Sequence, residues 1–298
     1  MIEAMPNYYG AFSCIAGKCK HSCCIGWEIY IDDKTMEFYN KIDSPLGEKI
    51  RANIEGDEPH FILAENDRCP FLNENGLCDI ILSCGENALC DICRLHPRFI
   101  NFYSSFAETG LGLCCEEAAR IILSFKDKAV IDLPRGVRLT EEEKMFFNIR
   151  QKIFDVLQNR TKTMGQRFFE LAEMFGFSFD FPMEKVIETY TKLERLDEKW
   201  TEKLKKLYGY SFDRQILEDE RFSIFFEQLA VYFIFRHFDG DWASKVHFAL
   251  LGAFVVGAIC SAENDLSFDN MADIARMYSA EIEYSEENIE TLVYTTFD

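Results

Sequence analysis

No apolar run in this sequence reaches the roughly 20 residues that a helix needs to cross a bilayer. The longest, residues 246–262, lies between Lys245 and Glu263 and contains His247. It reads as a buried core helix. The opening residues, Met1-Ile-Glu-Ala-Met-Pro, carry neither a basic nor an apolar stretch. No secretory leader is therefore expected, and the default compartment is the reducing cytoplasm. Bases are scarce, with 32 Lys and Arg against 51 Asp and Glu and a net charge of -19. Phosphate binding is led by Lys and Arg, so neither nucleic acid nor an anionic membrane is an expected partner. The charge suits a cationic partner, or solubility alone. No G-x-G-x-x-G turn occurs, so the usual dinucleotide signature is missing. Histidine is sparse at five residues. There is no internal repeat and no low-complexity tract.

Hydrophobic residues make up 48% of the chain, which excludes wholesale disorder, and the 28 Phe residues predict a Phe-rich core. The 298 residues allow one large domain or two ordinary ones. After residue 115 cysteine is nearly absent, with only Cys260 remaining; eleven of the twelve precede it. They are Cys14, Cys19, Cys23, Cys24, Cys69, Cys78, Cys84, Cys90, Cys93, Cys114 and Cys115. In a reducing compartment such clustering reads as metal or redox chemistry ahead of disulfides. Cys90-x2-Cys93 can reach one metal from a single turn and needs a second pair from elsewhere. Cys69 and Cys78, at the two ends of the Asn73–Gly76 turn, are the expected partners. Cys23 or Cys24 and Cys115 stand in reserve. Adjacent cysteines rarely bind one ion together, so Cys23-Cys24 should supply one ligand and one packed thiol. All-thiolate sites suit both iron–sulfur and zinc.

The pattern along the chain predicts a mainly α (α+β) fold. A small, irregular, cysteine-rich metal-binding region with short strands, residues 1–125, precedes a helical bundle, residues 126–298. Strands are expected at 24–32, 61–63 and 69–72, with short helical pieces around Gly85. Asp32 or Asp33 should cap a helix reaching about Lys41, and Ser44-Pro45 should start another. A hairpin is expected over 98–114, turning at Glu108-Thr-Gly. Thr140-Glu-Glu-Glu143 forms a capping box before a helix to about Arg160. Further helices are expected near 163–175, 182–206, 214–238, 241–261, 269–282 and 286–296, with a turn at Asp239-Gly240-Asp241.

The ordered motifs are C14-x4-C19-x3-CC-x2-W27, then CPFLNENGLC, then C-x2-C followed by His96-Pro97-Arg98, then GLGLCCEEAAR. Over about residues 7–125 they resemble the flagellin lysine N-methylase family, and more broadly cytosolic cysteine-cluster proteins that chelate zinc or iron. Cys14, Cys19, Cys23, Cys24, Cys69, Cys78, Cys90, Cys93 and Cys115 match the family's cysteines. Cys84, Cys114 and Cys260 do not. The family's Tyr-Pro-Arg is His96-Pro97-Arg98 here, its Pro is Glu116, and other members are longer. The resemblance implies S-adenosylmethionine-dependent methylation of flagellin lysines. It also implies an iron–sulfur cluster, 4Fe-4S first, with zinc second. The C-x3-C-x2-C spacing of radical S-adenosylmethionine enzymes is missing, because Gly26 stands where its last cysteine would be. The alternative is a non-catalytic zinc- or iron-binding interaction or redox protein. Trp27 reads as a core aromatic or a shield over the cluster, and His96 as a packed histidine or a ligand. Arg98, Glu108 and Arg120 read as ion-pair scaffold or as substrate or cofactor contacts.

Overall fold

The computed structural model describes residues 2–295. The fold is mainly helical with a few short strands, and it divides into two compact units. The smaller is Ser13–Phe99; the larger combines Met1–Phe12 with Ile100–Asp298. The division therefore falls at residues 12 and 99, not at 125. The reason is that the first strand, β1 (Ile2–Ala4), runs parallel to a strand more than a hundred residues later, with Ala4 opposite Glu108.

The smaller unit holds α1 (Asp33–Lys41), α2 (Pro45–Ala52), the two-residue strands β2 (Ile54–Glu55) and β3 (His60–Phe61), α3 (Asp79–Cys84) and α4 (Asp91–Leu95). The predicted starts of α1 and α2 are both present. The Asp32 side chain accepts from Thr35 N, and that of Ser44 accepts from Gly47 N. The strand expected at 24–32 is reduced to isolated bridges at Ile25 and Tyr30. Gly26, at φ +94°, interrupts the extended chain, and Trp27 folds back so that its Nε1 donates to Cys23 O at 2.7 Å. Residues 69–72 likewise form no strand; Leu72 bridges Cys78 across the expected turn. One apolar core, built on Ile29, Ile50, Tyr39, Phe61, Phe71 and Ile80, serves the unit.

The larger unit begins with β1 and holds most of β4 (Arg98–Phe102) and β5 (Phe106–Leu111), which form a sheet in the order β1-β5-β4. The predicted hairpin exists, but it turns at Tyr103–Ser105. Glu143 captures Ser104 N and Oγ at 2.8 Å each, which leaves Glu108 and Thr109 buried inside β5. The helices α5 (Glu116–Ser124), α6 (Glu141–Leu157), α7 (Met164–Met174), α8 (Met183–Lys192) and α9 (Glu198–Lys205) follow. The unit ends with α10 (Gln215–Glu218), α11 (Glu220–His237), α12 (Trp242–Glu263), α13 (Phe268–Ile282) and α14 (Glu286–Tyr294). The capping box at Thr140 and Glu143 is complete. The single helix expected over 182–206 is broken, because the Glu281 carboxylate takes the backbone amides of Leu196 and Asp197. That over 214–238 breaks at Asp219, which caps α11.

At the centre, α11 packs on α5, α6 and α12, and α13 packs on α5 and α12. Phe233 meets Phe248 and Tyr278 at ring separations of 6.0 and 5.4 Å. By length and composition alone α12 could cross a membrane, yet Phe248–Cys260 is buried within the unit.

Candidate functional site

Twelve free thiols are present, and the smaller unit draws five of them onto its core. Cys69 and Cys90 belong to that core, and Cys24, Cys78 and Cys93 pack against it half-buried. Local folding explains each placement. Cys69 N donates to Cys24 O at 2.8 Å, which joins the double cysteine to the second motif. Asn73 Oδ1 accepts from the amides of Asn75 and Leu77, and Gly76 takes φ +70°, so the chain reverses and returns Cys78 beside Leu72. Arg68 clamps the base of this loop by donating to the carbonyls of Leu72 and Asn73. The C-x2-C segment is held from α1: Asp32 accepts from Asp91 N at 2.9 Å, and the Tyr39 hydroxyl donates to Ala88 O at 2.8 Å. Burial opposes the ionised form of Asp32, but the amides of Asp91 and Thr35 outweigh it and lower its pKa.

The sulfurs are not equivalent. A hydrogen bond from Cys23 brings Cys24 down to about 7, against the opposing effect of burial and with help from Ser22 and Arg68. Burial pushes Cys69 up to about 12 and raises Cys78. Cys90 and Cys93 share a hydrogen bond that lowers the first and raises the second. Backbone amides also hydrogen-bond the sulfurs: Phe71 to Cys69, Ile80 and Ile81 to Cys78, and Cys93 to Cys90. Such amides stabilise thiolates and tune metal–thiolate sites.

The donor chemistry therefore fits a thiolate-bound metal. The side chains do not yet converge: among the described residues no three or more His, Cys, Asp or Glu are placed to hold an ion. Of the expected ligands, Cys69, Cys78, Cys90 and Cys93 are brought to one core, and Cys24 joins them. Cys23 is exposed beside Cys24, and Cys14 and Cys19 lie in the preceding loop, where the Cys19 thiol donates to His21 O at 3.1 Å. Cys115 belongs to the larger unit, at the N-terminus of α5. Trp27 and His96 face each other with ring centres 6.1 Å apart.

Motif order alone did not reveal Asp32, Tyr39 and Arg68, whose contacts form only once the loops close. Glu108 is one half of a buried pair: Arg150 donates to its two oxygens at 2.5 and 2.6 Å. Arg120 pairs with Glu117 one turn away. A second buried network, unannounced by any motif, surrounds Glu283. His237 Nε2 at 2.5 Å, Tyr232 OH at 2.7 Å, Ser279 and Arg236 all face its carboxylate.

No protein-family model matches the chain, and no solved structure matches it. Three curated proteins do. "Lysine-N-methylase" of Salmonella choleraesuis is 26% identical over 165 residues, 51% of this chain and 40% of the relative. The protein of that name in Salmonella typhimurium matches over the same extent. "Flagellar biosynthetic protein FliU" of Salmonella muenchen is 28% identical over 130 residues, 41% of this chain and 77% of the relative. The match thus spans about two fifths of the length of the two lysine-N-methylases.

Proposed function

From this likeness to lysine-N-methylases we propose that the protein methylates lysine ε-amines of flagellin, with S-adenosylmethionine as methyl donor, in the cytoplasm. The observation that carries the reading is the sequence likeness to that family, carried by the ordered cysteine motifs. The motifs resemble the flagellin lysine N-methylase family, relatives over about half the chain are named for lysine methylation, and one over 41% of it is named for flagellar biosynthesis. In the reaction the S–CH3 bond of the sulfonium breaks, an N–CH3 bond forms, and the amine loses a proton. The amine must arrive neutral and in line with the methyl group.

The cysteine-rich unit is proposed to carry a metal centre, 4Fe-4S ahead of zinc, held by Cys69, Cys78, Cys90 and Cys93 with Cys24 in reach. When bound, such a centre would supply thiolate cross-links between three chain segments that otherwise share one small core. The surrounding residues do the positioning: Asp32 and Tyr39 hold the C-x2-C segment, and Arg68 holds the loop between Cys69 and Cys78.

The test is anaerobic purification with iron and zinc analysis, followed by incubation with S-adenosylmethionine and flagellin and peptide mass spectrometry. Lysine mass increments of about 14 Da support the reading. Their absence, when a longer relative modifies its own flagellin in the same assay, leaves a non-catalytic metal-binding protein as the function.

A further inference from the structure

A cavity of about 350 Å³ opens in the larger unit between one side of α6 and the segment 128–133. It lies at the lower end of the size range of small-molecule sites, roughly 300–1,000 Å³. Its walls include Phe147 and Phe154 from α6, and Val130 and Leu133 from the segment opposite. Val130 is 45% exposed and Leu133 is 40% exposed, so both leave apolar surface uncovered. Isolated exposed apolar side chains are ordinary; here two of them line the same concavity as aromatic rings.

The polar groups narrow the ligand. Gln158 lines the cavity and is only 5% exposed. Its Nε2 donates to Ala129 O at 3.2 Å, while its Oε1 is buried with no hydrogen-bond partner. A buried acceptor without a donor is costly, and a ligand N–H would satisfy it once the amide turns toward the cavity. Arg150 also lines the cavity, but its charge is already matched by Glu108, and its guanidinium lies 4.9 Å from the Phe147 ring centre. It is a neutralised wall, not an anion hook. Lys128 is the one other cation among the lining residues, and Asp155, which accepts from Gln151, supplies a carboxylate. Phosphates are therefore poorly served. A flat, uncharged heteroaromatic ring with an exocyclic amine, carrying hydroxyls or a cationic group for Asp155, is well served.

The geometry points to this cavity as a binding site for an adenine nucleoside. On the methyltransferase reading above, the occupant is the adenosyl part of S-adenosylmethionine. The base would lie against Phe147 with its amine donating to Gln158 Oε1, and the sugar or the cationic tail would meet Asp155.

The test is calorimetric titration with S-adenosylhomocysteine and, separately, adenosine. It compares the wild-type protein with Leu133→Trp, which fills the mouth from an exposed position, and with Gln158→Met, which removes the acceptor. Thermal unfolding of each variant is recorded alongside. Leu133→Trp should abolish binding with an unchanged unfolding midpoint, and Gln158→Met should weaken it about tenfold. Binding undiminished in Leu133→Trp overturns the proposal, and so does failure of the wild type to bind either nucleoside. Flagellin methylation by the wild type is measured in parallel. Methylation together with unimpaired Leu133→Trp binding would sink this site and leave the function standing. Cavity-dependent adenosine binding without methylation would leave the site standing and sink the function.

Discussion

Single side chains in the larger unit bear large electrostatic loads. Glu108 is fully buried, and Arg150 meets it with two hydrogen bonds, supported by the Tyr103 hydroxyl at 3.0 Å. Breaking such a pair leaves an uncompensated buried charge. Arg150→Met should therefore cost about 3–5 kcal/mol, and the double variant Glu108→Gln with Arg150→Met should recover a good part of it. Urea unfolding of the three proteins measures this, and equal losses in the single and double variants would contradict it. Glu283 makes a different prediction. Burial opposes its ionisation, but Arg236, His237 and Ser279 outweigh that and hold its pKa at about 2. Burial keeps the His237 imidazole below its ordinary pKa, so Arg236 is the cation that keeps Glu283 charged. Both groups bind protons less readily when folded than when unfolded. Stability is then fully present above the ordinary His range and falls as pH drops, first through protonation of unfolded His237. A larger loss follows as pH falls from the usual Glu range toward about 2. The Glu283 share is on the order of 3 kcal/mol. Replacing Glu283 by Gln should flatten the acid limb of a stability–pH curve; an unchanged limb would assign the acid sensitivity elsewhere.

Helix ends explain why some elements formed where expected and others did not. Caps made by neighbours in sequence, at Asp32, Ser44, Thr140 and Ser285, hold wherever they occur. Breaks imposed from a distance do not announce themselves. Glu281 ends one helical run and starts the next from 84 residues away, and Glu143 moves the hairpin turn by reaching Ser104. The packing of α11, α12 and α13 depends on close approach at Gly252. A methyl group there would lie 3.0 Å from the Phe233 ring and 3.0 Å from the Tyr278 hydroxyl. Both rings are fully buried and cannot give way easily. Although Ala favours helix, Gly252→Ala should destabilise by about 1–3 kcal/mol. A higher melting temperature for this variant would mean that the three helices are less tightly packed than described.

For the whole molecule, the net charge of -19 matters more to encounter than to folding. If flagellin is the substrate, its lysines approach an acidic surface, and exposed charges are screened beyond about 8–10 Å at ordinary ionic strength. The kcat/KM for flagellin should fall as salt rises from about 0.05 to 0.5 M, with kcat little changed, as expected for a steered encounter. A salt-independent kcat/KM would mean that the charge serves solubility. The cysteines make the complementary prediction for the other unit. Cys90→Ser or Cys93→Ser should lower the iron or zinc content, while Cys84→Ser, at an exposed position outside the core, should leave it unchanged. Equal metal in all three would exclude the C-x2-C pair as ligands.

What is settled within a few residues could be read from the chain alone. The starts of α1, α2 and α6, the Asn73–Gly76 turn, the break at Gly85 and the mainly helical class follow from capping side chains and left-handed glycines. Those energies are local and do not wait for the rest of the chain. The concentration of cysteine before residue 116, and the order of its motifs, could also be read directly. Which thiols are gathered could not. Cys24 joins the core and its neighbour Cys23 stays exposed, because the backbone bond from Cys69 N to Cys24 O pins this turn with Cys24 inward. Cys115 falls in the other unit because β1 recruits β5 from the far end of the cysteine-rich region. Glu108 with Arg150, Glu283 with His237, and the cavity beside Gln158 likewise join residues dozens of positions apart. Such pairs form only after loop closure, which costs chain entropy that only the completed core can offset, so no spacing in the chain records them.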